Sequence, residues 1–136
     1  MSMEMHVFME KGKVPGRESW QAAIDSLALP LTLSSALDPF HDSGFSPSVI
    51  RGIDSGFEIY SEPSEGPLQE YAELTEVVGN RDWCISFRWS GDLNECACVM
   101  AASAALVKAC VAVAYYPDDD LVYDLDRLLE DFSACS

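Results

Sequence analysis

Hydrophobic positions in the first third of the chain switch between the spacing of strands and that of helices. The apolar segment from Met5 to Met9 predicts an opening strand, which turn residues close. Four apolar residues then recur at the spacing of one helix face: Trp20, Ala23, Ile24 and Leu27. Because Pro30 ends this helix, Leu29 to Leu33 is predicted as a short extended segment. The stretch from Ser34 to Ser46, rich in Ser, Asp, Pro and Gly, is predicted as a long loop.

The tetrapeptide Asp-Ser-Gly-Phe occurs twice, at Asp42 to Phe45 and at Asp54 to Phe57. Asp accepts hydrogen bonds from nearby backbone N–H groups and Gly tolerates a left-handed backbone, so both copies are predicted to be hairpin corners. Two antiparallel strands are expected beside them, Val49 to Ile53 and Phe57 to Glu62. The functional alternative is an anion-binding backbone cradle, but the repeats lack a glycine-rich run.

Pro67 and Gly79 bracket a predicted helix from Leu68 to Val78, because Pro favours the first helical position and Gly the position after the end. The side of this helix opposite its apolar residues carries three carboxylates: Glu70, Glu73 and Glu76. Like charges at this spacing repel each other by roughly a few tenths of a kcal/mol per pair. An ordinary solvated face is the alternative interpretation of this run.

The second half of the chain contains the most apolar elements. Cys84 to Trp89 alternates apolar and polar residues as a strand does, and the Ala-rich segment from Glu95 to Cys110 predicts a central helix. Val111 to Tyr116 has no polar alternation, as expected of a central strand covered on both faces. After an acidic turn, Asp124 is placed to cap a last helix. The apolar face of that helix is formed by Leu125, Leu128, Leu129 and Phe132.

Together these elements predict an α+β fold in which residues 1–136 form a single acidic domain. We expect a mixed, mostly antiparallel sheet of about five or six strands packed against the central apolar helix, with further N-terminal, middle and C-terminal helices. The central helix and the strand after it approach the length of a membrane span. Because Glu95 and Lys108 interrupt this stretch, no membrane association is predicted.

The charge of the chain is strongly negative and concentrated in two blocks. There are 23 acidic residues against 8 Lys and Arg residues, for a formal net charge of −15. Asp54 to Glu76 contains seven carboxylates and no base, and Asp118 to Asp131 contains seven more with only Arg127 against them. Such crowding costs stability, which suggests a partner of opposite sign. Binding to nucleic acid or to acidic membranes depends on Lys and Arg, so neither is expected.

Clustered aspartates late in the chain raise the possibility of a calcium or magnesium site, because hard cations prefer oxygen ligands. The spacing does not fit. Started at Asp118, the calcium-loop pattern requires Gly where Tyr123 stands and Glu where Leu129 stands, so a solvated acidic loop is favoured. Cys96 and Cys98 point about 200° apart on a predicted helix and cannot chelate one zinc ion together.

No catalytic residue, metal or cofactor is predicted. His41 stands beside Asp42 and Ser43, but catalytic triads assemble from distant segments rather than from three adjacent residues. Nothing in the sequence places Cys84 beside a histidine as a nucleophile pair. Five cysteines form an odd set, and the N-terminus has no export pattern, so we expect reduced thiols and a cytoplasmic protein.

In size, acidity and α+β organisation the whole chain resembles small bacterial immunity proteins, although it carries no diagnostic motif. The resemblance implies a protein that binds a secreted or contact-delivered toxin and occludes its active site. Toxins that act on nucleic acids or nucleotides need cationic clefts, which a negative surface complements. Aromatic residues within a charged surround usually carry much of such affinity. The predicted partner-binding residues are Asp118, Asp119, Asp120, Tyr115, Tyr116, Tyr123, Glu58, Tyr60, Glu62, Glu70 and Glu73.

Two other function classes remain open. A small-molecule-binding domain or minor enzyme would use a pocket beside the Ser34 to Ser46 loop, with His41 or Arg88 as polar groups. An effector chaperone or adaptor is the second alternative, since such proteins can also be small and acidic. Dimerisation through an apolar surface would favour the chaperone over a one-to-one inhibitor.

Overall fold

The computed structural model describes residues 2–135, which form one seven-stranded sheet and five α-helices. The strands are β1 (Met3–Met9), β2 (Leu31–Leu33), β3 (Ser43–Ile50), β4 (Ile53–Pro63), β5 (Trp83–Trp89), β6 (Val113–Tyr116) and β7 (Leu121–Tyr123). The helices are α1 (Arg17–Ser26), α2 (Glu65–Glu70), α3 (Thr75–Val78), α4 (Leu93–Cys110) and α5 (Leu125–Ala134). The strand order is β2-β3-β4-β5-β1-β6-β7, and every neighbouring pair is antiparallel. The α+β prediction is confirmed, with more strands than expected and no parallel pair among the described residues.

Helix α4 packs on one face of the sheet and forms the centre of the main core, with α1 and α5 beside it. Its ten residues from Ala97 to Leu106 are all buried. Asp92 caps its N-terminus by accepting a bond from the backbone N–H of Glu95 at 3.0 Å. By length and composition α4 is the one helix in residues 2–135 that could cross a membrane, and 61% of it is buried inside the structure. The predicted central helix is therefore present, and it packs on the sheet as the centre of the main core.

Strand register divides the side chains of the central strands between two faces. In β1, Met5, Val7 and Met9 join the main core, so the alternating residues Glu4 and His6 point to the opposite face. In β5 the core residues are Ile85, Phe87 and Trp89, as their alternation predicted. We call the face opposite α4 the open face.

The Asp-Ser-Gly-Phe repeats are not hairpin corners, contrary to the prediction. The β3–β4 hairpin turns at Arg51 and Gly52, whose φ angles are 51° and 78°. A two-residue hairpin turn of this kind requires positive φ at both central positions, and this requirement decides where the chain reverses. The expected strand from Val49 to Ile53 is split by this turn. The first repeat instead enters β3 at Ser43, which shortens the predicted loop, and the second lies inside β4.

The predicted helix from Leu68 to Val78 is also wrong as a continuous element. α2 begins before Pro67 and ends at Glu70, a 3-10 turn follows, and α3 then runs to Val78. The break lies at Tyr71, whose φ and ψ of −118° and 58° are not helical. Its ring packs instead against residues of the open face, with centroids 5.4 Å from His6 and 5.1 Å from Tyr115. At Tyr71, packing against the sheet therefore outweighs the helical spacing of the sequence.

The apolar segment from Val111 to Tyr116 supplies a strand that is shorter and less central than predicted. Val111 adopts a left-handed conformation with φ of 53° and is exposed, so β6 begins at Val113. β6 lies next to the edge strand β7, whereas β5 and β1 occupy the middle of the sheet. Both faces of β6 are nevertheless covered, because α2, α3 and the turn between them lie over its open-face side.

Candidate functional site: the acidic open face

Two rows of side chains cross the open face at right angles to the strands. The pairing of β4, β5, β1 and β6 aligns Tyr60, Ser86, His6 and Tyr115. The next row aligns Phe45, Glu58, Arg88 and Glu4. The row on the other side contains Cys84, Phe8 and Val113, which are buried in a second hydrophobic cluster under Leu74 and Val78. Residues 64–79 therefore cover one part of the open face and leave the polar rows beside it.

A hollow of about 310 Å³ lies over Ser86, because this residue is smaller than Tyr60 and His6 on its two sides. Glu4, Glu62, Phe87 and Arg88 complete its lining. We call this cavity the Ser86 hollow. Its walls carry two carboxylates and one guanidinium group, so the excess charge of the hollow is negative.

His6 forms one wall of the Ser86 hollow and is only 8% exposed. Its Nδ1 atom lies 2.7 Å from the Ser86 hydroxyl, and its Nε2 atom is buried without a hydrogen-bond partner among the described residues. Burial lowers the pKa of His6, although Glu4 and Glu70 oppose this shift. The imidazole is therefore neutral at neutral pH.

Arg88 lies in the second row between two carboxylates and forms an ion pair with one of them, Glu4. Its Nη2 atom lies 2.9 Å from Oε1 of Glu4, and this hydrogen-bonded ion pair raises the pKa of Arg88. Glu58, on the other side, accepts a hydrogen bond from the hydroxyl of Tyr60 and also raises the pKa of Arg88. The guanidinium charge is thus offset from within the open face.

The two acidic blocks of the sequence meet around a pair of tyrosines on the open face. Burial, followed by the charges of Glu70, Glu4 and Asp118, raises the pKa of Tyr71 to about 12. The pKa of Tyr115 is also raised, first by burial, then by its hydrogen bond to Asp120 and by the charge of Glu73. Glu70 and Glu73 belong to the first block, whereas Asp118 and Asp120 belong to the second. Carboxylates far apart in the chain therefore share one surface.

The acidic turn of Asp118, Asp119 and Asp120 is exposed, and hydrogen bonds hold two of its carboxylates. The hydroxyl of Tyr115 donates to Oδ1 of Asp120 at 2.6 Å, and that of Tyr123 donates to Asp119. Arg127 from α5 also donates to Asp119, at 3.3 Å. The turn is therefore a fixed part of the surface, anchored to β6, β7 and α5.

The structure separates the predicted partner-binding residues into exposed and buried groups. The exposed carboxylates are Asp118, Asp119, Asp120, Glu62, Glu70 and Glu73. Glu58 and Tyr60 are half-buried beside the Ser86 hollow. Tyr115 and Tyr123 are only 3% and 2% exposed, so little of either ring is accessible in the free protein, and their contact with a partner stays a prediction. Tyr116 is half-buried on the core side, where it stacks on Trp89 with ring centroids 6.0 Å apart.

Phe45 is an exposed aromatic residue of the open face that the sequence did not single out. It is 61% exposed and pairs with Glu58 across the β3–β4 register. Its ring lies over Gly56, where an added Cβ atom would stand 2.5 Å from Cζ of Phe45. The assignment of Phe45 to a turn concealed it. The alternation of buried Ser46, Ser48 and Ile50 in β3 is the pattern that places it outward.

His41 and Arg88, the polar groups of the small-molecule alternative, lie in different places. His41 is exposed in the loop before β3, where its Nδ1 atom lies 2.8 Å from Oδ2 of Asp38. A groove beside this loop has a volume of about 780 Å³ and does not include His41 in its lining. Its polar lining includes Ser34, Ser35, Asp54, Asp92 and Glu95. This groove is therefore acidic, like the open face.

Within residues 2–135 there is no group of three or more His, Cys, Asp or Glu side chains that could hold a metal ion. No protein-family model matches the chain, and neither a curated protein nor a solved structure matches it. The site is therefore interpreted from its own geometry and charge.

Proposed function

We propose that this chain is an inhibitor of the immunity-protein type that binds a cationic enzyme through the open face and occludes its active site. The observation that supports this best is the meeting of both acidic blocks around Tyr71 and Tyr115. Carboxylates brought together in this way repel one another in the free protein, and a surface of positive potential relieves that repulsion. The partner that fits is an enzyme whose cleft is lined by Lys and Arg, as clefts for nucleic acids or nucleotides are.

The open face also offers apolar contact inside its charged surround. Phe45 projects from a rigid strand beside Glu58, and Tyr60 lies in the neighbouring row. In protein interfaces such aromatic side chains usually carry most of the affinity, whereas the surrounding charges set the rate of association. We assign these two roles to Phe45 with Tyr60 and to the carboxylates, respectively. A cytoplasmic location belongs to the same proposal.

One observation favours a second candidate, a small-molecule site in the Ser86 hollow. The neutral ring of His6 lies 2.7 Å from the Ser86 hydroxyl, which is the distance between a general base and the nucleophile it activates. A protein inhibitor does not need this pair. The substitution Ser86→Ala, which removes the hydroxyl of this pair, should therefore leave inhibition intact. An enzyme or ligand-binding protein that uses the Ser86 hollow would lose its activity.

The proposal is tested by identifying the partner and assaying it. The tagged chain is used to recover a binding protein from extracts of the source cell, and mass spectrometry identifies that protein. The purified partner should be a basic enzyme whose activity falls to zero at a one-to-one ratio of inhibitor to enzyme. A partner that is bound but stays fully active, or a chain that binds only as an apolar-surface dimer, would support the chaperone alternative instead.

A further inference from the structure

Two cysteines that are far apart in the sequence are in direct contact. Cys96 lies in the first turns of α4, and Cys135 follows the last residue of α5. Their sulfur atoms are 2.7 Å apart, and both cysteines are free thiols in this structure. Two non-bonded sulfur atoms at rest lie farther apart than this, whereas a disulfide bond is about 2.05 Å long. Only a small side-chain movement separates this contact from a covalent bond.

We propose that Cys96 and Cys135 are a site of reversible oxidation, at which a small-molecule disulfide such as oxidised glutathione forms an intramolecular disulfide. The packing of α5 along α4 holds the two sulfurs together, with Leu128 and Phe132 of α5 buried in the main core. The site belongs to the folded chain itself and does not depend on the proposed partner.

The reaction proceeds by two exchange steps. The thiolate of Cys96, the more exposed of the two, attacks one sulfur of glutathione disulfide, and a mixed disulfide forms as one glutathione thiolate leaves. The thiolate of Cys135 then attacks the sulfur of Cys96 and displaces the second glutathione. Two protein thiols are oxidised, one glutathione disulfide is reduced to two glutathione thiols, and the two protein protons pass to the leaving thiolates or to solvent.

The other three cysteines lack such a partner in the described structure. Cys84 is buried beneath residues 64–79, where its sulfur lies 3.6 Å from the Ser86 hydroxyl. Cys98 contacts the hydroxyl of Ser48 at 3.3 Å, and Cys110 ends α4. Burial raises the pKa of all three thiols, which disfavours the reactive thiolate. Because the thiol of Cys96 is also partly buried, proximity rather than acidity makes the cross-link specific: among the described residues only Cys96 and Cys135 have their sulfur atoms in contact.

Burial and the neighbouring Cys135 also raise the pKa of Cys96. Since exchange requires the thiolate, oxidation is slow at neutral pH and becomes faster as the pH rises. Once formed, the bond joins the C-terminal end of α5 to the N-terminal part of α4. α5 in turn holds the acidic turn through the contact of Arg127 with Asp119, so the bond stabilises the element that positions this turn.

The test is a disulfide map of the purified full-length chain after equilibration with reduced and oxidised glutathione at mildly alkaline pH. Free thiols are alkylated in denaturant, and the protein is digested and analysed by mass spectrometry. We expect the loss of two hydrogen atoms from the protein mass and one cross-linked peptide pair, containing Cys96 and Cys135. Five alkylated cysteines after full equilibration, or a disulfide that includes any other cysteine, would overturn the proposal.

Matched serine variants separate this pair from general thiol chemistry. Cys96→Ser and Cys135→Ser should each abolish the intramolecular bond, whereas Cys110→Ser should form it as the unchanged protein does. The thermal midpoint of the unchanged protein and of Cys110→Ser should rise on oxidation by several degrees and return on reduction. A similar rise of the thermal midpoint in Cys96→Ser would contradict the assignment. If a variant fails to fold, the peptide map of the unchanged protein still shows whether Cys96 and Cys135 are cross-linked.

Discussion

The Nδ1 atom of His6 lies 2.7 Å from the hydroxyl oxygen of Ser86, and the other ring nitrogen of His6 is buried without a partner among the described residues. Because burial lowers the pKa of His6 below 6.5, the folded protein keeps this ring neutral under conditions in which the unfolded chain binds a proton. This relationship links the stability of the open face to pH.

We predict that His6 lowers the free energy of unfolding as the pH falls below about 6.5, since the unfolded state then binds more protons. Urea denaturation of the unchanged protein and of His6→Gln, at about pH 7.5 and about pH 5.5, measures this contribution as the difference between their pH dependences. Other groups also titrate in this range, but they cancel in the comparison. Equal pH dependence in His6→Gln would contradict the prediction.

We predict that Gly56→Ala destabilises the protein by roughly 1–3 kcal/mol. Its φ of 152° is unfavourable for residues with a side chain, and the new Cβ would collide with the Phe45 ring and with the carbonyl oxygen of Ser46. Chemical denaturation gives the difference in the free energy of unfolding. Gly91→Ala is the matched control, because nothing lies within 4 Å of a Cβ at that position. Equal stability of the two variants would show that the Phe45 ring is not seated as described.

We predict that Phe45→Ala weakens partner binding at least tenfold, which is about 1.4 kcal/mol, with little change in the free energy of unfolding. The reason is that this ring is mostly exposed in the free protein and projects from the open face. Leu93→Ala is the control, since Leu93 is similarly exposed but lies at the start of α4. Isothermal titration with the purified partner measures both affinities. An equal loss of affinity in the two variants would show that Phe45 has no special role in the interface.

Local hydrophobic pattern predicted the elements whose packing is simple. α4, α5 and β5 follow directly from their periodicity, since each buries a regular face against the core. The local pattern gave wrong predictions where the conformation of a residue depends on a contact with a residue far away in the sequence. Gly56 looks like a turn residue but provides space for Phe45, and Tyr71 continues a helical spacing but leaves the helix to pack on His6. A single sequence contains nothing local that separates these cases.

The candidate site was predictable in its chemistry and not in its arrangement. The two acidic blocks are visible in the sequence of the chain, but the packing of residues 64–79 on the sheet and the turn between β6 and β7 decide that Glu73 and Asp120 approach the same tyrosine. Strand register decides that Ser86 lies between Tyr60 and His6. The contact of Cys96 with Cys135 likewise depends on how α5 packs along α4. Such long-range pairings come from the fold as a whole.

The most direct test of the central claim is the salt dependence of the association rate between the chain and its purified partner. Stopped-flow measurements compare the unchanged protein with a triple variant of the open face, Glu70→Lys, Glu73→Lys and Asp118→Lys. A control carries Glu18→Lys, Asp25→Lys and Glu130→Lys on the helices of the other face. The account predicts that the open-face variant associates at least tenfold more slowly at low salt and loses most of its salt dependence, whereas the control changes much less. Equal rates and equal salt dependence in both triple variants would contradict it.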